Sequence, residues 1–417
     1  MSASLTLVLV VAVAYLAAHV AFDRLARRFL IVSGVEYLVL GLLLGPQVSA
    51  ILSEATVSSF APLTMLALGW IGAIIGTQFY LPELVRIPGA LFQVAFAEAA
   101  ATAATVSALL TGAMMWLFDI GLRTALVPSL ALGAIATASA PAGIEVVARA
   151  LGRRRHPALR QLQITVAVDA LVAISVMGLL ACLGRPLPLA PLATGRPLTA
   201  TEWAVVSLGV GLVGGALFHL FVGAERKVDR LFVSMGGAII LTAGASSYLG
   251  ISALFPAMVV GATLVNTSRN RDEIAATLHA AERPFYFVLL IFAGAAWAPS
   301  ARAWLVPVAL FLVARAAAKI GGARLAARMN GVLPALGPHW GRALLGHGGL
   351  ALALAFDYQQ HHGAYLPNIV FTAAIASVLL TDLSSAHLVK SVLEPVTEPV
   401  TEPVTEPVTE RGEEEPA

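Results

Sequence analysis

Asp169 is a lone carboxylate near the middle of QLQITVAVDALVAISVMGLLACL (Gln161–Leu183), a run with no other charge and long enough to span a bilayer. An ionisable group in hydrocarbon costs about 2.5 to 3.5 kcal/mol on insertion scales, so it normally faces a polar cavity and serves a function there. Arg315 and Lys319, one helical turn apart on a shared face, lie in another apolar run, LVARAAAKIGGARLAARM, ahead of Arg324 and Arg328. Burial and a neighbouring cation act in opposite senses on a carboxylate's proton affinity. Their balance can poise Asp169 to trade a proton for a cation near neutral pH. The competing reading sends Arg315 and Lys319 along their stems to the cytoplasmic surface, beside Arg324 and Arg328.

Oxygen ligands for an ion are expected where helices are interrupted at membrane depth and expose backbone groups to a cavity. Two segments fit. ALGAIATASAPAGIEVVARAL carries Pro141 in mid-span, preceded by Thr137 and Ser139; proline removes a backbone bond and frees carbonyls that hydroxyls can supplement. GRALLGHGGLALALAF sets Gly346, Gly348 and Gly349 around His347, read here as a histidine hydrogen-bonded to broken backbone. The two lie seven helices apart, the spacing expected of inverted halves. Glu98 and Glu145 also fall within apolar runs, and Glu145, four residues after Pro141, either lines the same cavity or pairs with Arg149.

The elements that must hold these groups are membrane helices. Of 417 residues, 58% are hydrophobic and only 12% charged, half the charged share of a soluble domain. Apolar stretches define about thirteen candidate transmembrane helices: 5–22, 29–46, 61–80, 89–117, 124–150, 161–183, 203–222, 231–249, 252–267, 284–298, 303–323, 340–357 and 366–389. Connections after odd-numbered helices hold seventeen Lys and Arg, those after even-numbered helices four: Arg123, Arg185, Arg196 and Arg302. By the positive-inside rule the N-terminus is outside and the C-terminus cytoplasmic, in a multi-pass protein of the cell membrane. MSAS offers no basic n-region, so the first run reads as an uncleaved helix.

The chain divides into a membrane region, 1–390, and a tail, 391–417. The tail repeats EPVT four times from Glu394, and proline every fourth residue keeps it disordered. Eight Glu there mask a net charge of +9 over residues 1–390, inside an overall +2. That excess suits loops facing anionic membrane lipid. Nucleic acid is not expected, because no basic patch is interleaved with aromatics. The single cysteine, Cys182, allows no intramolecular disulfide. No HExxH, GxSxG, CxxC or P-loop occurs, so neither an enzyme nor a cofactor is expected, and no metal beyond a transported cation.

Read in order, the passages GVEYLVLGLLLGP (34–46), GAIATASAPAGIEVVARAL (133–151), AVDALVAI (167–174), LFPAMVVGATLVNTSRNRDEI with ERPFYFVLLIFAGAAW, ARAAAKIGGARLAARM and LLGHGGLALALA resemble the cation–proton antiporter superfamily of monovalent-cation exchangers. The resemblance covers nearly all of 1–390. It implies an all-α fold of thirteen helices with inverted repeats and two crossed, broken helices. It further implies a core that carries the ion past a dimerising scaffold, hence a homodimer. Asp169 matches the family's ion-binding aspartate, Ser139 and Pro141 the polar break beside it, and Lys319 its basic partner. Two positions depart from the pattern. Val168 stands where relatives often have Asp or Asn, one ligand or titratable group fewer. Gln78, in GTQFYLPEL, stands where a Gly-x-Glu pattern is common.

The reading that follows is a secondary transporter exchanging Na+ or K+ for H+. Asp169 would bind either, Thr137 and Ser139 would complete the shell, and Lys319 or Arg315 would balance the empty carboxylate. The alternative is a uniporter or ligand sensor on the same scaffold.

Overall fold

The computed structural model describes residues 35–150, 157–183, 198–222, 228–268, 270–298, 305–331, 337, 339–362 and 368–393. The first apolar run (5–22), several of the loop arginines (Arg24 and Arg154 among them) and the repeat from Glu394 lie outside the described residues. Those that are described are helical, with no strand. They run as α1 (Val35–Leu44), α2 (Glu54–Ser59), α3 (Ala61–Thr77), α4 (Leu81–Leu84), α5 (Gly89–Phe118), α6 (Leu122–Thr137), α7 (Pro141–Ala150) and α8 (Pro157–Ala181). After these come α9 (Ala200–Val222), α10 (Val228–Leu249), α11 (Leu254–Thr267), α12 (Arg271–Ala280), α13 (Glu282–Ala296), α14 (Leu305–Met329), a 3-10 turn (Trp340–Leu344), α15 (Gly348–His362) and α16 (Ile369–Leu393).

Every apolar run after the first coincides with one or two of these segments. Among the described residues, six helical stretches are long and apolar enough to cross a bilayer, one of them running through α12 and α13 (Arg271–Ala296), or seven if the pair bent by 57° within α16 counts as one span. Shorter apolar helices, α3, α6 and α11, fall below that length. The protein is a multi-pass membrane protein.

Three expectations shift in detail. Pro141 does not interrupt a helix from within; it is the first residue of α7, where its missing N–H is no loss. Arg324 and Arg328, read as loop residues, ride the last turns of α14, which continues to Met329 because ARLAARM (323–329) is as helix-prone as it is basic. The connection before α13 holds a helix of its own, α12. It buries Ile274 and Leu278, leaves Asp272 and Glu273 outside, and is docked by the Trp70 indole, which donates to Leu278 O at 3.1 Å.

The helices form two bundles that alternate along the chain. α1, α3 and α9–α13 make one, joined most closely at α3–α11 and α1–α13. Glycines set those seams: a Cβ at Gly76 would run into Met258 O, one at Gly261 into Ala73 O, and one at Gly294 into Leu38 O. Small residues let membrane helices approach until dispersion contacts hold them, since lipid supplies no hydrophobic drive between helices. Gly261→Val should therefore force α3 and α11 apart and cost about 1 to 3 kcal/mol, read as a lower unfolding midpoint in detergent. An unchanged midpoint would show that the seam yields freely.

The second bundle comprises α5–α8, α14, the 3-10 turn, α15 and α16. It meets the first along a thinner boundary, chiefly α8 on α11 and α13 on α15. There Gly178 faces Phe255, and Gly349 receives the ring of Tyr286 so closely that a Cβ could not fit.

Candidate ion-binding site at the crossed helix breaks

Both interruptions lie in the second bundle, and they touch. α6 ends at Thr137, Ala138 leaves the helix at φ −56° and ψ 130°, and the residue before Pro141 is itself disfavoured from the helical region, so no helix bridges the gap. The second break follows the 3-10 turn and closes at Gly348, whose φ of +63° only glycine adopts without strain. Ala140 N donates to Gly346 O at 2.9 Å, a backbone bond that ties one break to the other. Gly348 leaves room for Ala140, whose Cβ would stand 2.8 Å from an added one.

Two helical C-termini thus aim carbonyls at the crossing, each the negative end of a peptide dipole array. Arg315 answers both. Its Nε donates to Ala136 O (3.2 Å), Nη2 to Ala138 O (3.0 Å) and Nη1 to Leu345 O (2.7 Å), with the side chain buried. His347 completes the brace: Nε2 donates to Ile135 O at 2.7 Å, which leaves Nδ1 to accept from Ser377 Oγ at 2.7 Å in the neutral ring. The sequence placed His347 on broken backbone, and it lies there.

Lys319, one turn further along α14, meets carboxylates. Its Nζ lies 2.7 Å from Asp169 Oδ2 and 3.2 Å from Glu98 Oε2, and all three side chains are 0% exposed. Ser139 Oγ donates to Asp169 Oδ2 at 2.7 Å and also lies 3.1 Å from Leu344 O. Asp169 Oδ1 is buried and has no hydrogen-bond partner among the described residues. Thr137 Oγ1 donates to Ala134 O at 2.8 Å and is 3.3 Å from the main-chain oxygen of Asp169. It adjoins the site with its hydroxyl turned along its own helix.

A cavity of about 740 Å³ leads to this point. Its outer wall carries the exposed Glu83 and Arg86 together with Arg160, and its inner end is Ser139, Val168 and His347. Gln78 and Glu145 line it, and Glu145 is exposed rather than sequestered with Asp169. Asp169 is not itself a lining residue, but its neighbours Val168 and Ala170 and its hydrogen-bond partner Ser139 are, and hydroxyl and carboxylate oxygens are donors that hard cations favour.

Among the groups the sequence underweighted, Glu98 stands out. The rule that marks Asp169, one charge alone in a membrane-length helix, applies equally to Glu98 in α5. Asp357 escaped altogether because it ends an apolar run; it is fully buried on α15, 3.7 Å from His361 Nδ1.

No protein-family model matches the sequence, and no curated protein matches it. Solved structures do. The sodium proton antiporter MjNhaP1 from Methanocaldococcus jannaschii at pH 8 is 16% identical with a TM-score of 0.65, over 94% of this chain and 99% of that one. An electron-microscopy map of the same antiporter gives 16% identity and a TM-score of 0.61, over 94% and 97%. The chain has the fold of these antiporters.

Proposed function

We propose that the protein is a secondary active transporter exchanging a monovalent cation for protons, with Asp169 as the group for which the two compete. The observation that carries this reading is Asp169 Oδ1: a buried carboxylate oxygen without a hydrogen-bond partner among the described residues, beside two crossed breaks and behind a cavity. A proton or a desolvated cation satisfies such an atom equally well, and only one fits at a time. Ser139, whose hydroxyl would turn its lone pairs to the ion, and carbonyl oxygens of the breaks, each with a second lone pair beside the bond it already accepts, would supply the remaining ligands. Thr137 joins them only by giving up Ala134 O. Lys319 neutralises the empty carboxylate, while Arg315 serves the helix ends instead. Na+ is the first candidate, because the similar solved structures are of a sodium proton antiporter. The thin boundary between the bundles supports movement of one against the other as the transport step.

The test is proton flux in proteoliposomes on addition of Li+, Na+ or K+ across a pH series. One-for-one competition requires the apparent KM of the preferred cation to rise about tenfold for each pH unit on the acid side, since the ligand must be deprotonated to bind. Proton movement that ignores every cation would refute exchange and favour a uniporter or sensor on this scaffold.

Ser139→Ala deletes the hydroxyl that orients Oδ2 without touching the charge. A hydrogen bond to a charged group contributes about 1.5 to 3 kcal/mol, so the cation KM should rise at least about tenfold while the maximal rate changes little. An unaltered KM would remove Ser139 from the shell.

A further inference from the structure

The reading above uses one carboxylate, yet Lys319 is shared between two. Glu98 is as buried as Asp169, and both of its oxygens are engaged: Oε1 accepts from Thr102 Oγ1 at 2.8 Å and Oε2 faces Lys319 Nζ at 3.2 Å. It comes from α5, whereas Asp169 comes from α8 and Lys319 from α14, so three helices of one bundle converge on one ammonium group. The neighbouring charged and titratable groups, Arg315 and His347, are committed to carbonyl oxygens of the breaks. Position 168, directly before Asp169, is valine and contributes no charge.

Charge counting then constrains what the site can carry. With Lys319 as ammonium and both carboxylates ionised, the cluster holds one net negative charge, which a dry interior tolerates only if something neutralises it. One proton on either carboxylate does so. One monovalent cation at Asp169 Oδ1 does so equally. Were Lys319 paired with Asp169 alone, an arriving cation would leave a net positive charge unless Lys319 surrendered its own proton. Glu98 removes that requirement.

We propose that Glu98 is the second carboxylate of the transport site and makes the exchange one cation for one proton with no net charge moved. This rests on the assignment of Asp169. On cation binding, the single proton shared by Asp169 and Glu98 leaves through the cavity. Lys319 keeps its three hydrogens and turns from Asp169 Oδ2 towards Glu98 Oε2. The loaded and protonated forms therefore cross with equal charge.

Calorimetry of the purified protein titrated with NaCl, in buffers of different ionisation heat, counts protons released per Na+ bound. About one is expected for the natural sequence, and imposing a diffusion potential on proteoliposomes should leave its Na+/H+ exchange rate unchanged. Glu98→Gln keeps the shape and the acceptor for Thr102 but not the charge. It should weaken Na+ binding by roughly tenfold or more, and Glu98→Asp should recover most of that loss. Two protons per Na+, exchange driven by the imposed potential, or a Glu98→Gln variant that binds Na+ like the natural protein would each overturn the proposal. The first two measurements need no variant, so misfolding of Glu98→Gln leaves them decisive. Asp169→Asn separates the two ideas. If it still binds Na+ with proton release, the assignment of Asp169 fails. If it is silent while Glu98→Gln is indistinguishable from the natural protein, Glu98 alone is wrong.

Discussion

Asp169→Asn is expected to abolish cation-coupled proton flux, by more than about a hundredfold, beyond what loss of an outer-shell partner costs at an ion site. The protein should nonetheless fold. Asparagine occupies the same space and still offers an oxygen to Ser139 and Lys319, but it neither ionises nor takes up a proton. The usual danger of deleting one member of a buried pair is the stranded counter-charge. Here Lys319 retains Glu98 at 3.2 Å. The stability loss should stay near about 1 to 2 kcal/mol, the difference between a charged and a neutral hydrogen bond. Flux and the thermal midpoint are measured on the same preparation. A folded Asp169→Asn variant with undiminished exchange would end the assignment.

Arg315→Met should do the opposite, damaging the fold more than any ion-binding step. Ala136, Ala138 and Leu345 would lose their shared donor at once, and each buried carbonyl left without a partner costs about 1 to 3 kcal/mol. A loss of about 3 kcal/mol or more is expected, seen as a collapsed yield of monodisperse protein and a depressed midpoint. Arg315→Lys should recover little, because an ammonium on a flexible stem cannot span three acceptors drawn from two segments as a planar fork does. Normal stability in either variant would mean the breaks are held by something other than this guanidinium. The contrast with Asp169 gives the two buried cations and their partners separate experimental signatures, although spacing alone left both Lys319 and Arg315 open as its partner and only the resemblance pointed to Lys319.

Why the sequence could not separate them is a matter of one helical turn. Arg315 and Lys319 share a face, so spacing placed both near the site; which met the carboxylates depended on where α6 and the 3-10 turn ended, and that is a tertiary fact. The helices themselves were legible, because twenty apolar residues without a charge have few alternatives in water or lipid. So were the breaks, since proline and a Gly-His-Gly-Gly cluster leave the backbone no uniform helix to adopt. Their residue-level form was less so: Pro141 looked like an interruption and proved to be a beginning. α12 was hidden because its apolar residues number only enough to dock on a bundle, not to cross a membrane. Glu98 was visible and discounted, for nothing in one dimension shows that α5 passes beside α8 and α14.

The Ala140–Gly346 bond has a mechanical corollary. Fastening the two interruptions to each other couples them, so that a movement of one break carries the other with it. Under the exchange proposed above, discrimination among ions would be fixed inside that unit and turnover set at its boundary with the other bundle, where Tyr286 lies on Gly349 and Phe255 on Gly178. Altering those four positions should retune speed and leave the preferred ion unchanged.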